Sequence, residues 1–97
     1  MQFMITAYDG NDEEAMNRRM TVREDHLAGI SVLIEGGNFI AGGAILDEAD
    51  QMIGSTLYLE FTNREAMDNW LINDPYVTAG VWKDISVQPI RLALRDN

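Results

Sequence analysis

Cysteine is missing from this chain of 97 residues, histidine occurs once, proline twice, and lysine plus arginine total 7 against 16 acidic residues. Each scarcity removes a class of function. Without cysteine there is no disulfide, no thiolate nucleophile and no Cys-based zinc site, and one histidine leaves few metal ligands beyond carboxylates. No metal or cofactor is expected. The formal charge of −9 would repel a phosphate backbone, and no Lys/Arg stripe offsets it locally, which argues against nucleic acid as a partner. Every apolar run falls well short of the roughly 20 residues that span a bilayer, and Met1-Gln2-Phe3 lacks the basic start of a secretory leader. The expectation is a soluble, cytoplasmic protein that does not enter a membrane.

What is present is a balanced composition, 46% hydrophobic, without linker, repeat or low-complexity tract. It predicts one domain over residues 1–97, of a size at which a single core is adequate but not generous. The pattern reads β-α-β-β-α-β. Gln2 to Tyr8 is an apolar strand ended by the turn-forming Asp9-Gly10-Asn11-Asp12. Thr21-Val22-Arg23-Glu24 has the form of a capping box and predicts the start of the first main helix, with Leu27, Ile30, Leu33 and Ile34 at helical spacing and Gly36-Gly37 as the stop. Asn38 to Leu46 and Gln51 to Phe61 form a hairpin around Asp47-Glu48-Ala49-Asp50. A second capping box, Thr62-Asn63-Arg64-Glu65, opens a helix with a stripe of Ala66, Met67, Trp70 and Leu71 that ends near Asp74-Pro75. Trp82 to Leu94 supplies the last strand.

This order predicts an α+β, ferredoxin-like fold, a four-stranded antiparallel sheet with two helices on one face. Met4, Tyr8, Phe39, Ile40, Met52 and Tyr58 make the other face more apolar than a solvated surface requires. It is therefore expected to pack against a copy of itself in a two-fold homodimer.

Histidine is the residue type best suited to acid–base work near neutral pH, and His26 is the one this chain has. Read alone, it also fits a half-buried helix position, just as Asp74 before Pro75 fits a helix end whose carboxylate caps amides. Arg23 could equally be a surface ion-pairing residue, and Ser55 after Gly54 a strand residue tolerating close backbone approach. Asp9, Asn11 and Glu13 imitate a calcium loop, but Glu14 and Met20 stand where its glycine and closing glutamate belong. The paired glycines do not form a dinucleotide fingerprint.

Five separated motifs in order resemble the YciI-like, YCII-related family: Arg19-Met20-Thr21-Val22-Arg23-Glu24-Asp25-His26-Leu27, Ala41-Gly42-Gly43, Gly54-Ser55-Thr56, Asp74-Pro75-Tyr76-Val77-Thr78-Ala79-Gly80-Val81 and Val87-Gln88-Pro89. The resemblance implies a single YCII-related domain, a dimeric α/β barrel, and a pocket with a His-Asp pair, here His26 and Asp74, with Arg23, Ser55 and Tyr76 as neighbours. It implies distant kinship with muconolactone isomerases and a chloromuconolactone dehalogenase. Gly43 where a proline is common and a shorter hairpin imply a different pocket rim; Trp82 where a tyrosine is common and Ile90 where an aromatic is usual are further departures, which imply a change of specificity before one of mechanism. The expected chemistry is proton transfer of isomerase, lyase or dehalogenase type on a small anionic metabolite. A carboxylate on one imidazole nitrogen would leave the other free as a base, Arg23 would hold a substrate carboxylate, and Ser55 and Tyr76 would donate to an enolate-like oxygen. The alternative is a non-catalytic dimer that binds a small ligand or a partner protein through His26.

Overall fold

The computed structural model describes residues 1–93. In chain order the elements are β1 (Gln2–Asp9), α1 (Ala15–Glu35), β2 (Phe39–Leu46), β3 (Met52–Glu60), α2 (Arg64–Asn73), α3 (Pro75–Thr78) and β4 (Trp82–Ile90). The last strand ends at Ile90, short of the expected extent, with residues 91–93 outside any strand; Leu94, its expected end, lies outside the described residues. The strands form one antiparallel sheet in the order β2-β3-β1-β4, which is the ferredoxin-like arrangement. Alternate residues of the two central strands, Phe3, Ile5, Leu57 and Leu59, join Ile30 and Leu33 of α1 and Met67 and Leu71 of α2 in one core.

Helix α1 starts six residues before the expected capping box. Thr21 is not an N-cap: its hydroxyl donates to the Asn17 carbonyl one turn back, at 2.7 Å. Asp12 to Arg19 is helix-compatible, and extending a formed helix adds a hydrogen bond per residue, whereas a fresh start at Thr21 repeats the costly nucleus. Arg18 secures the early start by donating to both carboxylate oxygens of Asp12, which holds the Asp12 carboxyl at about 2. The longer helix has a different buried stripe, Arg19, His26, Ile30 and Leu33. Leu27 and Ile34, expected inside, are 41% and 56% exposed. In α2 the cap is Asn63 rather than Thr62, its side chain accepting from the Ala66 amide at 2.8 Å.

Three register shifts interrupt the alternation of the sheet. Ile40 is the extra residue of β2, Ile53 of β3 and Lys83 of β4, and each reverses the face on which the residues beyond it lie. Phe39 and Met52, expected on the open face, consequently line a cavity beneath α1. Trp82 is turned inward beside Asp9. Met4, Tyr8, Ile40 and Tyr58 keep the predicted open side.

Two chain reversals share one geometry. After α1, Gly37 at φ 78° lets Asn38 donate back to the Leu33 carbonyl and Gly37 to that of Ile34. After α3, Gly80 at φ 70° does the same, with Val81 donating to Tyr76 and Gly80 to Val77. Both are left-handed closures that satisfy the last helical carbonyls. Asp74-Pro75 to Gly80-Val81 is thus a complete one-turn helix with a cap at each end. A Gly80→Ala variant, forced into left-handed backbone, is expected to lose about 1–2 kcal/mol of stability, read by urea unfolding, with the same sheet and helix content by circular dichroism.

Candidate active site

The site is assembled where the buried stripe of α1 meets α3 and the β1/β3 centre of the sheet. His26 reaches inward from α1, and its Nδ1 lies 2.8 Å from Oδ2 and 3.1 Å from Oδ1 of Asp74. The same Oδ2 accepts from the Tyr76 amide at 3.0 Å. A carboxylate only accepts, so Nδ1 carries the ring proton. The other nitrogen, Nε2, makes no hydrogen bond to any described residue. Both side chains are nearly excluded from solvent, 7% and 1% exposed.

The Tyr76 ring stacks on the imidazole with centroids 3.9 Å apart and planes within 11°. Trp82 meets both rings edgewise. Stacking, packing and the Asp74 bond fix the imidazole plane, which is what a proton-transfer group needs. Burial pushes the Tyr76 phenol above its ordinary value against the pull of the Arg19 and Arg23 charges. It therefore remains a neutral hydrogen-bond donor at physiological pH.

His26, Tyr76, Ser55, Arg19 and Arg23 share the wall of a cavity of about 110 Å3. Its apolar side is formed by Ile30, Phe39, Met52 and Leu57, and its rim by Gly42, Gly43 and Ala44 of the edge strand β2. Asp74 stands behind the imidazole and does not line this cavity. Arg23, half-buried, makes no ion pair with any described residue, whereas Arg19 is bound to Asp9 at 2.9 Å with both side chains 3% exposed. Among the described residues no three His, Cys, Asp or Glu side chains converge as a metal site would need.

All five residues expected from the sequence come together here. Two participants, Asp9 and Arg19, were not anticipated, and Trp82 was singled out only as a departure from the family pattern, not as a neighbour of His26. The signal for Arg19 was present, because it stands seven residues before His26 and so two turns away on the same face. Starting the helix at Thr21 hid it. Trp82 depends on the Lys83 bulge, which leaves no mark in the alternation of so short a strand.

The model of the YCII-related domain matches residues 1–91. The chain belongs to the YCII-related family. This YCII-related protein is 35% identical to protein YciI of Escherichia coli, over 94% of this chain and 97% of that one. It is also similar to a solved structure, the 5-chloro-2-hydroxyhydroquinone dehydrochlorinase TftG of Burkholderia phenoliruptrix in complex with 2,5-dihydroxybenzoquinone, with TM-score 0.80, 26% identity and 94% of each chain covered. A dimeric ferredoxin-like protein of unknown function from Jannaschia shares the fold, with TM-score 0.52 and 15% identity over 94% of this chain and 98% of that one.

Because the folded state keeps the Tyr76 proton at a pH where the unfolded chain releases it, stability should fall as pH rises through and beyond about 10. Thermal unfolding followed from neutral to alkaline pH should show this loss. In a Tyr76→Phe variant the slope should be shallower.

Proposed function

We propose that this protein is a small cytoplasmic enzyme that moves a proton on a small anionic metabolite, using His26 as base and Asp74 as its orienting partner. One observation carries the proposal: a buried imidazole with Nδ1 bound to a carboxylate and Nε2 left free at the wall of a cavity. That is the arrangement in which one nitrogen is fixed and the other takes up a proton. In the reaction, Nε2 removes a proton from the substrate and negative charge develops on a conjugated oxygen. Arg23, the cavity arginine that makes no ion pair with any described residue, balances that charge. The electron pair then takes back the proton at another atom, an isomerisation, or expels a leaving group such as halide, a lyase or dehalogenase reaction. In the second case the imidazolium yields its proton to water.

The cavity size supports the same reading. A void of about 150 Å3 accommodates benzene, so about 110 Å3, open at its rim, suits a substrate with a single ring. The dehydrochlorinase TftG, solved with a one-ring quinone, supports that class.

His26→Gln, whose side-chain amide can still donate towards the buried Asp74 carboxylate, should reduce turnover by roughly 10²–10⁴ with the fold retained by circular dichroism, whereas His26→Ala should also lose stability by stranding that carboxylate. Asp74→Asn is the finer probe, because an amide oxygen placed at Oδ2 would retain both the imidazole and the Tyr76 amide bonds but lose the charge. Turnover is measured by halide release and by deuterium uptake in a panel of chlorinated and hydroxylated one-ring substrates. A parent protein that binds these compounds but turns none over identifies a binding module instead.

The proposal includes a homodimer packed through the open sheet face. Across its centre run the pairs Met4 with Tyr58, Thr6 with Thr56 and Thr6 with Ser86, a band of uncharged, modestly sized side chains that another sheet can cover. Light scattering should give twice the chain mass, and Thr6→Arg, which places a charge at the middle of the band, should give a folded monomer.

A further inference from the structure

Ser55 is held by two donors and by no acceptor. Its Oγ accepts from Arg19 Nη2 at 2.9 Å and from the Trp82 indole at 3.1 Å. A hydroxyl has two lone pairs and one proton. With both lone pairs engaged, the only capacity left is donation, and Ser55 Oγ donates to no described residue. Ser55 is 3% exposed and lines the cavity beside His26 and Tyr76. Its proton therefore has the cavity as its outlet.

The residues that impose this are expensive to keep. Arg19 and Asp9 are buried as an ion pair, Nη1 reaching both carboxylate oxygens at 2.9 and 3.0 Å, and Arg19 Nε has no partner among the described residues. Burying such a pair stabilises a fold less than apolar residues of the same volume. Asp9 neutralises Arg19, so this guanidinium does not act as a second free cation beside Arg23. What remains for it is geometric: one amino group on Asp9, the other on Ser55, and the guanidinium carbon 4.8 Å from the centre of the Tyr76 ring.

We infer that Arg19 and Trp82 are positioning residues that make Ser55 a one-way donor. The subsite in front of Ser55 takes a ligand oxygen that only accepts: a phenolate, an enolate or a quinone carbonyl. A ligand hydroxyl that must donate its own proton is disfavoured there, since Ser55 has no lone pair to offer it. This deepens the proposed function, resting on the cavity as a ligand site but not on catalysis.

The test is a double-mutant cycle on binding of 2,5-dihydroxybenzoquinone, followed by its visible absorption. Ser55→Ala should weaken binding about 10- to 100-fold, the loss of a hydrogen bond to a charged ligand oxygen, and shrink the shift of the absorption band on binding. Arg19→Lys keeps the charge beside Asp9, but a single ammonium cannot span Asp9 and Ser55 together. It should weaken binding at least about threefold. Trp82→Phe, which removes one donor and strands no charge, should behave likewise. Neither should weaken binding further in the Ser55→Ala background, whereas a merely structural role would act equally in both. Losses that multiply, or a Ser55→Ala variant that binds as tightly as the parent, overturn the inference. So does a parent that takes up none of the probe at millimolar concentration. Coupled losses in a protein that never shows turnover would leave it standing while the proton-transfer reading fell.

Discussion

The carboxylate of Asp74 holds two elements at one point, accepting from the His26 ring of α1 and from the first free amide of α3. Because the α3 turn is closed at its other end by Gly80, the carboxylate cannot drift without opening that turn. The imidazole is therefore fixed by a backbone device rather than by a side chain on a flexible loop. The alternatives that a sequence leaves open for Asp74, helix cap or histidine partner, are not exclusive. One oxygen serves both, and it is the cap that gives the partner its rigidity.

The sheet supplies the space into which this imidazole faces. An unbroken four-stranded sheet would present Phe39 and Met52 to the open side and Lys83 beside Asp9. Three bulges exchange them, bringing Phe39 and Met52 under α1 and Trp82 against the histidine. Bulges leave one residue unpaired and sharpen the local twist, and here two fall on the β2/β3 hairpin that carries the cavity rim. The rim residues are Gly42, Gly43 and Ala44, so the opening comes from small side chains on an edge strand as much as from any withdrawal of the helix.

The order of elements, the hairpin and the second helix were legible in the sequence, because each leaves a local mark: alternation, helical spacing, a turn cluster, a proline after an aspartate. The pairing of His26 with Asp74 leaves none, since the two stand 48 residues apart; it came from the family resemblance, and the residues alone left Asp74 open between helix cap and site. The start of α1 was not, since Thr21-Val22-Arg23-Glu24 satisfies every local rule for a cap, and only the continuity of helix from Ala15 overrides it. That single error removed Arg19 from view. The bulges were invisible for a different reason: strands of eight or nine residues give too few alternations for a one-residue shift to stand out. Face assignments failed at Phe39 and Met52, each on the far side of a bulge from the strand centre, and held elsewhere on the open face.

A chain with formal charge −9 is a poor attractor of anions at long range, yet its cavity carries a guanidinium without an acidic partner among the described residues. The two facts are compatible because they act over different distances. Exposed carboxylates are screened beyond about 8 Å at physiological salt, while a half-buried Arg23 would act on a ligand in the cavity at contact distance. Asp9 sharpens the contrast by cancelling Arg19 beside the same wall, leaving the Arg23 guanidinium as the wall's one net positive charge. Under the function proposed above, such a site would favour a small ligand whose negative charge is concentrated on one side and whose remaining surface is apolar enough for Ile30, Phe39 and Leu57. A polyanion would meet the acidic exterior before it met the arginine.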